Sequence, residues 1–114
     1  MSPITTHVLD TAHGQPAAGV AVVLEYQSGE DIWTQLSHGH TNADGRLTSL
    51  LPDGAALSIG TYRLRFATGA YHAARGVRGF YPEVQVQFQL DEAEGHYHIP
   101  LLLSPFGYST YRGS

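Results

Sequence analysis

One segment of the chain, residues 83–90, reads Glu83-Val84-Gln85-Val86-Gln87-Phe88-Gln89-Leu90. Successive side chains of a β-strand point to opposite faces, so this alternation predicts a strand with one apolar and one polar face. The same period of two recurs at residues 62–66, and turn residues separate apolar segments at 42–45 and 52–54. Seven or eight strands joined by turns predict an all-β sandwich. The alanine-rich residues 68–75 predict its one short helix.

Composition limits the classes of function. The chain has 114 residues, a formal net charge of -4, no cysteine and no lysine. This length predicts a single domain over residues 1–114. The lack of cysteine excludes a disulfide scaffold and a thiol nucleophile, and the acidic balance argues against a nucleic-acid partner. No apolar run reaches the roughly 20 residues of a membrane helix, and no leader is visible before the first strand. We therefore expect a cytoplasmic protein that binds neither nucleic acid nor a membrane.

Histidine is the unusual feature of this composition, with seven residues. His96 and His98 share one face of a predicted strand, and the other face carries the apolar side chains Tyr97, Ile99, Leu101 and Leu103. In the first predicted strand, His7 shares a face with Thr5 and Leu9. These histidines are therefore either exposed surface residues or members of a binding or catalytic face.

Arg46 and the C-terminal segment supply further candidates. Arg46 follows the Asp44-Gly45 turn, and its guanidinium is suited to a carbonyl or carboxylate ligand. Residues 108–114 are aromatic and polar to the last residue. Tyr111 and Ser114 therefore belong either to a solvated tail or to the lining of a pocket.

The motifs of several enzyme classes are absent from the sequence. There is no serine-nucleophile elbow, phosphate loop or dinucleotide fingerprint. His38 and His40 have metal-like spacing, but they lack a nearby acidic ligand and a metal site is not expected. An enzyme built on histidine and arginine would most simply activate water, because neutral histidine can accept its proton near pH 7. Arginine could then stabilise the resulting oxyanion.

Four segments together resemble the 5-hydroxyisourate hydrolases, the enzyme branch of the transthyretin-like proteins. They are residues 6–10 with 14–17, residues 41–46, residues 80–84 and residues 97–114, the last of which ends Tyr111-Arg112-Gly113-Ser114. That terminal motif separates the hydrolases from the hormone-carrying transthyretins. The resemblance implies a transthyretin-like (prealbumin-like) sandwich of two four-stranded sheets with one short helix. It also implies a homotetramer, a dimer of dimers, with active sites in a central channel.

The resemblance further implies a reaction and its residues. The reaction is hydrolysis of 5-hydroxyisourate to 2-oxo-4-hydroxy-4-carboxy-5-ureidoimidazoline in urate breakdown, without cofactor or metal. The family's catalytic positions fall on His7, Arg46, His98 and Ser114, and Arg46 and Tyr111 would also bind the substrate. A histidine would activate water, and either His7 or His98 could be that base. His96 and Arg112 receive no role.

Two other functions stay open from the residues alone. The first is a transthyretin-type module that binds a small aromatic ligand without catalysis. The second is a histidine-based metal protein that uses His38 and His40 or the channel histidines. Decay of fresh 5-hydroxyisourate against a blank would separate the hydrolase from the first, and metal content after chelation would decide the second.

Overall fold

The computed structural model describes residues 2–113, in which two β-sheets pack against each other. The strands are β1 (Ile4–Asp10), β2 (Gln15–Pro16), β3 (Ala21–Gly29), β4 (Ile32–His40), β5 (Arg46–Leu47), β6 (Gly60–Phe66), β7 (Val84–Leu90), β8 (Tyr97–Ser104) and β9 (Gly107–Thr110). Helix α1 spans Thr68–Ala73. The predicted all-β sandwich with one short helix is confirmed.

The two sheets differ in how their strands pair. The second sheet has the order β4-β3-β6-β7, and all of its pairs are antiparallel. The first sheet follows the order β2-β1-β8-β9, and β5 also pairs with β1. It therefore has five strands where four were expected, because two-residue strands occupy successive parts of one edge of β1. On its other edge β1 pairs with β8 in parallel.

Apolar side chains from both sheets fill the space between them. In β7 the residues Val84, Val86 and Leu90 are buried, while Gln85 and Gln87 are exposed, as the alternation predicts. The largest fully buried side chains of the other strands include Ile4, Val8, Leu24, Tyr62, Leu64, Phe66 and Leu101. Burial of one such side chain contributes roughly 1.5–3 kcal/mol to folding, so this core stabilises the two sheets as a pair.

Helix α1 is held against the end of β1. Tyr71 of the helix is buried and its hydroxyl donates a hydrogen bond of 2.8 Å to Asp10 Oδ2. Asp10 is itself 2% exposed, so this bond joins two buried groups. Among residues 2–113, no helix is long and apolar enough to cross a membrane.

Candidate active site

The outer face of the first sheet gathers the polar residues singled out by the sequence. Thr5 of β1 lies opposite His98 of β8, and His7 lies opposite Arg46 of β5. Because residues paired across neighbouring strands share a face of the sheet, these four side chains lie on one side. The core residues of β1 and β8 occupy the other side, so the strand alternation predicted this outer face correctly.

A tight turn places Arg46 beside β1. The side-chain oxygen of Asn42 accepts hydrogen bonds from the backbone N–H groups of Asp44 (2.9 Å) and Arg46 (3.0 Å). Gly45 has a φ of +74° and packs so closely on the Val8 carbonyl that a Cβ would collide with it. Its own carbonyl accepts a bond of 2.7 Å from the Val8 N–H. The turn is thereby fixed to the strand that carries His7.

His7 is half-buried and has a defined tautomer. Its Nε2 lies 3.0 Å from the Asp44 carbonyl oxygen, which can only accept a hydrogen bond. In the neutral ring Nε2 therefore carries the proton and Nδ1 holds the lone pair. Burial and then the charge of Arg46 lower the pKa of His7 below its usual 6.5. The neutral, proton-accepting form thus predominates at neutral pH.

His98 is the second half-buried imidazole of this face. Its Nδ1 lies 2.8 Å from the Thr5 hydroxyl oxygen. Burial lowers the pKa of His98, and the nearby charge of Arg46 and the neighbouring His7 and His96 lower it further. A hydrogen bond with the Thr5 backbone opposes this shift without reversing it. His98 is therefore also neutral at pH 7, and the site holds two imidazole bases beside one guanidinium.

The C-terminal segment returns to His98. The Gly113 N–H donates a 2.8 Å hydrogen bond to the His98 carbonyl. A Cβ at Gly113 would lie only 2.6 Å from His98 Cδ2, so the backbone passes directly over the imidazole. Only glycine at position 113 allows the backbone to lie this close to His98. The preceding Arg112 places its guanidinium 4.6 Å from the centre of the Tyr97 ring.

A cavity of about 330 Å³ opens between the edges of the two sheets beside His98. Tyr111 and Arg112 line it on one side and Phe88 of β7 on the other. His7 and Arg46 are not among its lining residues. The structure therefore brings His7, Arg46 and His98 together on the outer face and places Tyr111 with His98 along the cavity. Ser114 lies outside the described residues.

Sequence reasoning missed two residues of this site and set a third aside. Thr5 and Gly113 contact His98, and His96 reaches the same Thr5 hydroxyl at 3.3 Å. Alternation placed Thr5 on the face of His7, but only the β1–β8 register shows that it meets His98.

Within residues 2–113 no three histidine or acidic side chains converge as metal ligands.

Comparison with known proteins gives the family. The chain matches the family described as HIUase/Transthyretin over residues 4–113. It belongs to that family. A 5-hydroxyisourate hydrolase from Salmonella dublin is 50% identical over 111 residues, which cover 97% of this chain and 80% of that relative.

Solved structures similar to this chain include a 5-hydroxyisourate hydrolase and a transthyretin. The 5-hydroxyisourate hydrolase of Klebsiella pneumoniae is 38% identical, with a TM-score of 0.86 over 100% of both chains. Transthyretin from Sparus aurata is 34% identical, with a TM-score of 0.90 over 99% of this chain and 97% of that one. These similarities confirm the predicted transthyretin-like sandwich. Because the hydrolase and the transthyretin share this fold, the distinction between them depends on the residues of the site.

Proposed function

We propose that this chain hydrolyses 5-hydroxyisourate to 2-oxo-4-hydroxy-4-carboxy-5-ureidoimidazoline in urate catabolism. The observation that carries the proposal is the pair of neutral imidazoles, His7 and His98, beside Arg46 on one face of the sheet. The predicted enzyme, a 5-hydroxyisourate hydrolase, is confirmed by relatives of that name at about half identity over nearly the whole chain.

The proposed reaction adds water across the lactam C–N bond. A histidine accepts one water proton, either His98 at Nε2 or His7 at Nδ1, while the water oxygen attacks the ring carbonyl carbon. Arg46 stabilises the oxyanion that forms on the carbonyl oxygen. As the C–N bond breaks, the histidine returns the proton to the departing nitrogen. Water is thus consumed, the base is regenerated and a carboxyl group is formed.

Arg46 and Tyr111 are proposed to bind the substrate. Tyr111 is 58% exposed and lies along the cavity that reaches His98. Its phenol is therefore available to a ligand bound against that imidazole. Ser114 is proposed as a further catalytic position on the family resemblance, and its described neighbour Gly113 donates a backbone hydrogen bond to the His98 carbonyl.

The working unit is proposed to be a homotetramer, a dimer of dimers, of single-domain chains over residues 1–114. Aromatic side chains exposed on the described surface support an assembly: Phe80 is 67% exposed and Phe106 is 71% exposed. β7 and β9 are each paired on one side only within residues 2–113, so both offer an edge to another chain. Assembly would turn the outward histidine face into a channel wall. The cytoplasmic location stays a prediction.

Turnover of freshly made 5-hydroxyisourate tests the proposed function. The protein should speed its decay well above a blank, and the carboxylated ureidoimidazoline should accumulate as the first product by NMR. The competing function is small-ligand binding of the kind seen in sea bream transthyretin, whose structure was solved with thyroxine. Decay at the blank rate together with saturable binding of thyroxine would replace the hydrolase by that carrier.

A further inference from the structure

The Thr5 hydroxyl lies between two imidazoles. Thr5 Oγ1 is 2.8 Å from His98 Nδ1 and 3.3 Å from His96 Nε2. Thr5 is fully buried, His98 is half-buried and His96 is exposed. The three side chains therefore form a hydrogen-bonded row that runs from half-buried His98 through buried Thr5 to exposed His96.

A hydroxyl group has one proton, and this limits the arrangements of the row. Thr5 can donate to one imidazole while it accepts from the other. If His98 is to accept a proton at Nε2, its neutral ring must carry the proton on Nδ1. Nδ1–H then donates to Thr5 Oγ1, and the Thr5 hydroxyl donates to Nε2 of His96. Every group of the row is satisfied in this arrangement.

We propose that Thr5 and His96 form a relay that holds His98 with its proton on Nδ1 and carries surplus charge from His98 to solvent. The inference rests on the proposed hydrolysis and identifies two positioning residues for it. Thr5 sets the tautomer of His98, and His96 accepts the proton at the outer end. Neither residue contacts the reacting atoms.

The relay moves one proton and leaves the row intact. Water gives a proton to His98 Nε2, the Nδ1 proton of His98 passes to Thr5 Oγ1, and the Thr5 hydroxyl proton passes to His96 Nε2. His98 ends neutral and His96 ends as the imidazolium. The reverse transfers return the proton for the departing nitrogen.

The surroundings of His98 favour this transfer. The charged and titratable groups that act on it are Arg46 from β5, His7 from β1 and His96 beside its own strand, and each opposes a positive ring. An imidazolium on the half-buried His98 is therefore destabilised by burial and by the Arg46 charge. On the exposed His96 the same charge is solvated.

Substitution of Thr5 tests the relay in the full-length protein. Thr5→Val keeps the shape of the side chain and removes the hydroxyl, so kcat should fall by roughly tenfold or more with KM little changed. Thr5→Ser should restore most of kcat. Thr6→Val is the matched control, because it removes a buried hydroxyl that donates to the Ile99 carbonyl (2.6 Å) on the core side of the same strand. Equal kcat in Thr5→Val and Thr6→Val would overturn the relay.

His96 provides a second variant that leaves the core unchanged. His96→Ala should lower kcat several-fold because the outer proton acceptor is lost. His38→Ala, at an exposed histidine of the other sheet, should leave kcat unchanged. Wild-type kcat in His96→Ala, or an equal loss in His38→Ala, would contradict the relay.

NMR of the ring nitrogens separates the relay from the proposed function. Without any substrate, His98 of the wild type should show a protonated Nδ1 and an unprotonated Nε2, and Thr5→Val should shift it towards the other tautomer. A wild-type His98 with its proton on Nε2 would overturn the relay whether or not the protein hydrolyses 5-hydroxyisourate. Blank-rate decay by a wild type whose His98 is protonated on Nδ1 would overturn the hydrolysis and the proton transfer, and would leave only the proposed tautomer of His98.

Discussion

At the scale of single residues, the pKa values of His7 and His98 set the pH range of the proposed reaction. Burial and the Arg46 charge lower both pKa values below 6.5, so the neutral base persists under mildly acidic conditions. We expect kcat/KM to fall only as the pH drops through a midpoint below 6.5. Arg46→Gln should move this midpoint upwards because one cause of the lowered pKa values is removed.

The same shifts have a consequence for stability. A folded-state pKa below the unfolded value means that the unfolded chain binds more protons. The contribution of these histidines to the free energy of unfolding is therefore present above about pH 6.5 and is lost as the pH falls.

Measurement of kcat/KM over about pH 5 to pH 8 checks the catalytic expectation. An acid midpoint above 6.5 in the wild type would contradict it.

Gly113 is expected to control the placement of the His98 ring. In Gly113→Ala the new Cβ would lie 2.6 Å from His98 Cδ2, so the ring or the backbone at residue 113 must move. A displacement of about 1 Å in a catalytic group can cost on the order of 10²-fold in rate. We expect a loss in kcat of that order with a small change in thermal stability.

Gly107→Ala is the matched control for Gly113. Its Cβ would meet only Ser104 Oγ, at 3.8 Å, which is an ordinary contact. Wild-type kcat in Gly113→Ala, or an equal loss in Gly107→Ala, would show that close packing on His98 does not matter.

At the scale of elements, one buried hydrogen bond anchors α1 to β1. Asp10 accepts from the Tyr71 hydroxyl (2.8 Å), from His13 Nδ1 (3.0 Å) and from the His13 N–H (3.1 Å). Burial and the bond to Asp10 raise the pKa of Tyr71 to about 12, so its hydroxyl stays a donor. Tyr71→Phe should lower the free energy of unfolding by about 1–3 kcal/mol, since a buried carboxylate loses a partner.

Urea denaturation measures this loss. Tyr108→Phe serves as the control because Tyr108 is 42% exposed on a strand at the sheet edge. Equal stability of the wild type and Tyr71→Phe would mean that another contact holds the helix.

The elements also show how far the sequence predicts the site. The alternating residues of β1, β7 and β8 specify which face is buried, and the structure has those faces. The alternation does not specify which strands pair with each other. β1 and β8 are about ninety residues apart in the sequence, and they come together only when the core packs. The contact of Thr5 with His98 depends on that parallel register, so local patterns could not find it.

At the scale of the whole molecule, exposed aromatic residues are expected to mediate assembly. Phe106 is 71% exposed in the β8–β9 turn, and Phe80 is tied to the same turn by its N–H bond to the Pro105 carbonyl (2.7 Å). If this surface is buried in the proposed tetramer, Phe106→Asp should place an uncompensated charge there and yield smaller species. Light scattering after size-exclusion chromatography measures the mass.

Ile32→Asp is the control for assembly, since Ile32 is 60% exposed at the edge of the other sheet. It should leave the mass unchanged. A Phe106→Asp protein with the mass of the wild type would exclude this turn from the interface.

At the same scale, the outer sheet face is the proposed hydrolytic site of a transthyretin-like fold. This chain superposes on the transthyretin of Sparus aurata with a TM-score of 0.90, and its outer sheet face carries two neutral imidazoles and an arginine. The rate of 5-hydroxyisourate decay catalysed by His98→Ala, compared with that of the wild type and of His38→Ala, examines this assignment directly. His38 is an exposed histidine of the other sheet. We expect His38→Ala to match the wild type and His98→Ala, at unchanged oligomeric mass, to lose on the order of 10²-fold or more. Near-normal turnover by His98→Ala would contradict the assignment of this face as the hydrolytic site.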